Sequence, residues 1–259
     1  MNIVVCVKHV PDATADRTFD PADNTVDRAG VDGLLSELDE YAVEAALQLG
    51  AEHGGEVTAL TMGPAQAADA IRKSLQMGAD KGVHILDDAI HGSDSIGTSR
   101  IIAAALQKLE FDLVICGMAS TDASMSVVPA MLAERLGLPQ LTLVTDVALE
   151  GRTVRGRRDG DIATETVEAT LPVIMSVTDQ ANEPRYPSFK GIMGAKKKPV
   201  ETWSLADLGI PPGEVGLGAA WSAVAAVTAR PPREAGTVVT DDGTGATQLV
   251  DFLAQRKFL

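Results

Sequence analysis

The run Asp112-Leu-Val-Ile-Cys-Gly-Met-Ala-Ser-Thr-Asp-Ala-Ser-Met-Ser-Val-Val-Pro129 sets a glycine and several hydroxyls directly after an apolar stretch. A strand that feeds a small-residue turn and then a helix start suits phosphate. The helix N-terminus offers free N–H donors and the positive end of its dipole. Gly117 permits close backbone approach, and Ser120, Thr121, Ser124 and Ser126 add hydroxyl donors. The pattern is neither a Walker loop nor a Gly-x-Gly-x-x-Gly fingerprint, and serines in this place also serve simply to cap a helix. A second stretch, Glu183-Pro-Arg-Tyr-Pro-Ser-Phe-Lys-Gly-Ile-Met-Gly-Ala-Lys-Lys-Lys198, has the composition of a docking loop. Pro184 and Pro187 restrict the backbone, so that Arg185, Tyr186 and Phe189 are presented at low entropic cost. Ile192 and Met193 extend the apolar set, while Lys196, Lys197 and Lys198 would steer an acidic partner in a salt-sensitive way. The plainer alternative is a covered loop followed by a solvated lysine run.

Other chemistries find little support. His9, His53, His84 and His91 are scattered without metal-ligand spacing, and Asp87-Asp88 reads as a loop, so neither a metal site nor a catalytic residue is assigned. Cys6 and Cys116 form no Cys-x-x-Cys pair and read as small buried hydrophobes. A redox role would therefore need a bound cofactor. The formal charge of −14 argues against a nucleic-acid partner or an anionic membrane surface, although Arg155, Arg157 and Arg158 make a local basic patch beside Asp159 and Asp161. The sequence shows no apolar span of membrane length and no signal-type segment, which makes the expected location cytoplasmic, without membrane insertion.

The elements that must position these residues read as an α/β protein: a three-layer αβα fold with a mostly parallel sheet, an antiparallel β-hairpin insertion and an extended C-terminal arm. Short β-branched runs at Ile3–Val7, Val57–Thr61, Val83–Leu86 and Leu113–Cys116 alternate with helix-period segments. Ser36-x-x-Asp39 resembles a capping box for a helix stopped by Gly50. Pro64 opens a second helix that Gly78 stops, and Ser93 or Asp94 opens a third that runs through Leu109. Asp122 or Ser124 introduces a fourth. From about Thr142, the pieces Val144–Leu149, Thr153–Arg157 and Thr164–Ala169 suggest an antiparallel insertion over about 142–170, after which Pro172–Val177 returns to the main sheet. Residues 1–210 form the α/β domain. Residues 211–259, rich in Gly, Pro and Ala up to a helix over Gly245–Lys257, form an arm that needs a partner surface.

The docking stretch, preceded by Asn182, resembles the recognition loop of the electron-transfer flavoprotein beta subunit. Val5-Cys-Val-Lys-His-Val-Pro-Asp12, Asp39-Glu-Tyr-Ala-Val-Glu44, Met62-Gly-Pro-Ala-Gln66 and Met77-Gly-Ala-Asp-Lys-Gly-Val-His84 are similar to the same family in the same order, so that the resemblance covers most of residues 1–210. It implies a non-catalytic electron carrier that pairs with an alpha subunit, which holds most of the FAD. Its electrons would come from flavin-dependent dehydrogenases, including those of fatty acid oxidation, and pass to a respiratory quinone oxidoreductase. It implies a structural AMP held by Cys6, Ser36, Glu37, Leu38, Asp39, Met62, Gly117, Met118, Ala119, Ser120, Thr121, Asp122, Ala123, Ser124, Met125, Ser126, Val127 and Val128. Ala13 and Leu38 would face the flavin. A bifurcating branch of the family places a second FAD where the others hold AMP, and the glycine usual there after the aspartate is Ala123 here, which favours AMP. Two readings of other classes stand beside these. One is a stand-alone nucleotide-binding α/β protein, which would want a lysine or acidic pair for a triphosphate and metal. The other is a pure adaptor that works through its loop alone.

Overall fold

The computed structural model describes residues 1–233 and 236–259. The first half alternates as β1 (Asn2–Cys6), β2 (His9–Pro11), β3 (Gly33–Leu35), α1 (Glu37–His53), β4 (Glu56–Met62), α2 (Ala68–Met77), β5 (Lys81–Ile85), α3 (Ser95–Lys108), β6 (Leu113–Gly117) and α4 (Val128–Leu136). There follow β7 (Gln140–Val144), β8 (Val147–Glu150), β9 (Thr153–Asp159), β10 (Thr164–Thr170), β11 (Val173–Val177), α5 (Phe189–Ala195) and β12 (Val200–Trp203). Seven strands form one sheet in the order β12-β5-β4-β1-β6-β11-β7, and each of these pairings is parallel.

The alternation of side chains along these strands builds two cores. Ile3, Val5, Leu113, Ile115, Val173 and Met175 face α1 and α2, packing on Ala42, Ala46, Ile71 and Leu75. Val4, Val114 and Ile174 face the other way, onto Ile101 and Leu106 of α3 and Leu132 of α4. Both faces of a parallel sheet are thus covered, and each fully buried aliphatic side chain contributes roughly 1.5–3 kcal/mol. The three-layer α/β expectation holds. β8, β9 and β10 form the separate antiparallel insertion, and β11 then returns between β6 and β7.

Several boundaries differ from the sequence reading. Val144–Leu149 is not one strand: Thr145 leaves the main sheet and donates its N–H to the Arg157 carbonyl at 2.7 Å, so that β7 ends and β8 begins. α1 runs past Gly50 to a left-handed Gly54, since Gly50 is buried inside the helix and lies against Gly55. Ser36 stands at the N-cap of α1, but its hydroxyl makes no capping bond. Neither Asp122 nor Ser124 starts α4, which begins after Val127 with Pro129 in its first turn. Asp94, by contrast, caps α3 by accepting the Gly97 N–H at 2.9 Å.

The compact α/β unit extends to Ala225 rather than to 210. Val215 is buried in the core with Ile210, Gly216 donates its N–H to Ser93 Oγ, and Asp94 accepts the Trp221 N–H at 2.8 Å. The second unit, Ala226–Leu259, carries among its described residues the helix α6 (Gly245–Gln255), on which Leu249, Val250 and Phe252 are exposed. No helix among the described residues is long and apolar enough to cross a membrane.

Candidate functional site

Strand order reverses at the centre of the sheet: β4 and β5 are added on one side of β1, β6 on the other. In open parallel sheets the crevice at the carboxyl ends of the strands at such a reversal is where ligands bind. Cys6 ends β1, Met62 ends β4, Gly117 ends β6, and Ser36, Glu37, Leu38 and Asp39 open α1 beside them. Gly117 is required here, because a Cβ would stand 2.7 Å from the Leu38 carbonyl oxygen and 2.5 Å from Asp39 Oδ1. The turn from Met118 to Val127 then leads into α4. Ser124 and Ser126 take left-handed φ values of 53° and 57°, sparsely populated for serine, and Val127 returns to the right-handed region. A left-handed residue next to a right-handed one gathers successive N–H groups toward one side, as anion-binding concavities do.

Charge is concentrated on the same turn. Asp122 accepts from Lys8 Nζ at 2.8 Å and from Arg28 Nη2 at 2.6 Å, and Lys8 Nζ also reaches Ser120 Oγ at 3.3 Å. Burial opposes ionisation of Asp122, but the Lys8 charge and the bonds from Lys8, Arg28 and Ser120 outweigh it and hold the carboxyl well below its usual range. Arg17 donates to the Thr121 carbonyl at 2.8 Å. Asp39 behaves oppositely. Burial pushes it up to about 7, although it accepts the Lys8 backbone N–H at 2.8 Å.

Three polar atoms around the turn are buried without a hydrogen-bond partner among the described residues: Ser36 Oγ, Thr121 Oγ1 and Arg28 Nη1. Buried donors are rarely left so, since each costs about 1–3 kcal/mol. Neither α1 nor α4 has a side chain capping its first amides. Unpaired donors on two helix starts and an arginine fit an anionic ligand, and the residues present therefore fit a nucleotide phosphate. Cys6 and Cys116 are register partners on β1 and β6 and are free thiols. A hydrogen bond shared with Cys6 that favours the protonated thiol, together with burial, pushes the Cys116 thiol up, in keeping with a packing role.

A family model of the electron transfer flavoprotein domain matches residues 23–208. The chain is 48% identical over 264 positions to an electron transfer flavoprotein subunit beta of Mycobacterium tuberculosis, covering 100% of this chain and 99% of that one. The chain belongs to the electron transfer flavoprotein beta-subunit family. A subunit beta from Megasphaera elsdenii is 34% identical over 99% of this chain and 97% of its own. A Caffeyl-CoA reductase-Etf complex subunit CarD from Acetobacterium woodii is 35% identical over the same shares, 99% and 97%. Electron transfer by a flavoprotein is thus the activity to which this chain contributes.

In this beta-subunit chain the stretch 183–198 separates into anchors and an outward face. Tyr186, Phe189, Ile192 and Met193 are exposed, as are Lys196 and Lys197. Arg185, itself exposed, and half-buried Lys198 bond back to the body of the fold instead. Arg185 donates to buried Glu44 through Nε at 2.6 Å and Nη2 at 2.9 Å. Lys198 Nζ caps the end of α2 by donating to the carbonyls of Leu75, Gly78 and Ala79. Gly191 lets α5 lie on α2, because a Cβ there would stand 2.5 Å from the Gln76 carbonyl oxygen. Of the two flavin-facing expectations, Ala13 is exposed and Leu38 half-buried. Among the described residues no cluster of three or more His, Cys, Asp and Glu side chains could hold a metal.

Sequence reasoning missed Lys8, Arg17 and Arg28, the cations of the turn. Lys8 stands within the quoted Val5–Asp12 motif and was the one with a usable signal: a lysine just past a central strand, at the edge where ligands bind.

Proposed function

We propose that this chain is the beta half of a heterodimeric electron-transfer flavoprotein that takes electrons from flavin-dependent dehydrogenases and passes them to a quinone oxidoreductase. In this reading it holds one AMP at the turn after β6. The observation that carries the nucleotide reading is the set of buried, unpartnered polar atoms on Ser36, Thr121 and Arg28. FAD, held mainly by the alpha subunit, supplies the electron chemistry when bound. The chain itself makes and breaks no covalent bond. Ala13 and Leu38 give one apolar wall to the flavin, which excludes water from it. The two left-handed serines and the Gly117 cradle fix the phosphate-binding turn, and the Asp122 ion pairs keep it in place.

The second part of the reading concerns docking. Phe189, Ile192 and Met193 on α5, with Tyr186 just before it, expose apolar side chains on a segment whose flanks are tied to α1 by Arg185 and to α2 by Lys198, which is the preorganisation a partner pocket rewards. Lys196 and Lys197 beside it favour an acidic client surface. Phe189→Ala is expected to lower electron transfer from the client dehydrogenase by the equivalent of about 1.5–3 kcal/mol, with flavin content unchanged. Unaltered transfer in that variant would remove the docking role.

The similarity to the Caffeyl-CoA reductase-Etf complex subunit supports a second reading, in which the same turn holds a second FAD. Ala123, where a close phosphate would prefer glycine, weighs toward AMP.

A further inference from the structure

The turn after β6 holds more positive charge than the carboxylate within it can neutralise. Lys8 and Arg28 each give one oxygen of Asp122 a short ion pair, at 2.8 and 2.6 Å, so both carboxylate oxygens are occupied and one positive charge is left over. Asp39, a second carboxyl beside Lys8, accepts the backbone N–H groups of Lys8 and Gly117, and burial disfavours its charge. Arg28 retains a second terminal nitrogen, Nη1, which is buried and has no acceptor among the described residues. Thr121, adjacent to the ion-paired Asp122, has a buried hydroxyl in the same state, and Ser36, whose residue is 0% exposed, has another at the uncapped start of α1. Ser36 is tied to Lys8 by its backbone N–H donating to the Lys8 carbonyl at 2.9 Å, which places it in the same cluster. An arginine offers two parallel donors to a planar or tetrahedral oxyanion, and here one arm is committed to Asp122 while the other is free.

We propose that Arg28 is a phosphate-binding residue of the nucleotide site, its Nη1 donating to a phosphate oxygen that the Thr121 and Ser36 hydroxyls also hold. The role rests on the nucleotide reading above and adds to it a discrimination: the site selects the phosphorylated nucleotide over its nucleoside. The loop between β2 and β3, which carries Arg28, then closes over the ligand as well as over Asp122.

The test uses the heterodimer with its flavin, freed of adenine nucleotide, and titrates AMP and adenosine separately by calorimetry into the unmodified protein, Arg28→Gln and Arg28→Lys. Arg28→Lys keeps a cation for Asp122 and so guards against a collapsed turn. If Arg28 holds phosphate, both variants bind AMP about tenfold or more weakly, the size of one charge-assisted hydrogen bond, while adenosine changes by less than about threefold. If Arg28 only braces the turn through Asp122, AMP and adenosine weaken by equal factors, and the proposal is overturned while the nucleotide site stands. Unchanged AMP binding overturns it likewise. An unmodified heterodimer that binds neither compound overturns the proposal together with the reading beneath it.

Discussion

Arg185→Ala probes the anchor that precedes α5. Glu44 is 4% exposed and receives Arg185 Nε at 2.6 Å, Arg185 Nη2 at 2.9 Å, the Arg185 backbone N–H at 3.2 Å and Gln48 Nε2 at 2.9 Å. Removing the guanidinium leaves a buried carboxylate with only an amide side chain and one backbone N–H. A lost charge-assisted bond that strands its acceptor costs about 1.5–3 kcal/mol. The Arg185 side chain is 45% exposed, and solvent screening brings the expectation to about 2 kcal/mol. For a domain of this size that is a Tm lower by about 4–8 °C. The pH dependence has a fixed sign. Burial disfavours the Glu44 charge, but the bonds from Arg185 and Gln48 outweigh it and hold the folded pKa below 4.5, so the stability it contributes is present above that value and lost as pH falls through the folded one. Thermal and urea unfolding of both proteins should show a wide gap at pH 7 that narrows in acid. Glu44→Gln in the Arg185→Ala background should restore part of the loss. No difference at pH 7, or a gap that does not shrink in acid, would refute the buried-clamp argument.

Gly191→Ala should lift α5 from α2, costing about 1–3 kcal/mol and weakening client electron transfer, while limited proteolysis speeds up around Phe189. Gly117→Ala should push β6 away from the start of α1, at a similar cost of about 1–3 kcal/mol, and reduce the adenine nucleotide that co-purifies, which chromatography of the released nucleotide measures. Asp39 has a folded pKa raised to about 7, so its contribution is present below its unfolded value of 3.8 and is lost as pH rises toward 7. Asp39→Asn should flatten the decline in urea midpoint across that window, where the slope from one such group is up to about 1.4 kcal/mol per pH unit.

The sheet was legible because its strands are short β-branched runs between helix-period segments, and Ile3, Leu113 and Val173 fall where alternation puts them. Helix ends were less so. Gly50 and Gly54 look alike in sequence, yet one is small for packing and the other takes the left-handed conformation. Asp122 reads locally as a helix cap, whereas its partners Lys8 and Arg28 are 114 and 94 residues away and only the fold brings them together. The basic run ending at Lys198 shows the same limit: sequence displays the charges, but not that one of them is spent on the carbonyls at the end of α2. Residues 211–225 look too rich in Gly and Pro to pack, but Val215 enters the core because Gly216, at φ 75°, passes where a Cβ would stand 2.3 Å from the Ala89 carbonyl oxygen.

The central claim is that the turn between Gly117 and Val128 binds an adenine nucleotide beside the flavin. Acid release and chromatography of the purified heterodimer, with flavin counted per alpha-beta pair, tests it most directly. The account predicts one FAD and one AMP; two FAD would give the turn to a redox flavin, and flavin without any second adenine nucleotide would contradict the site itself.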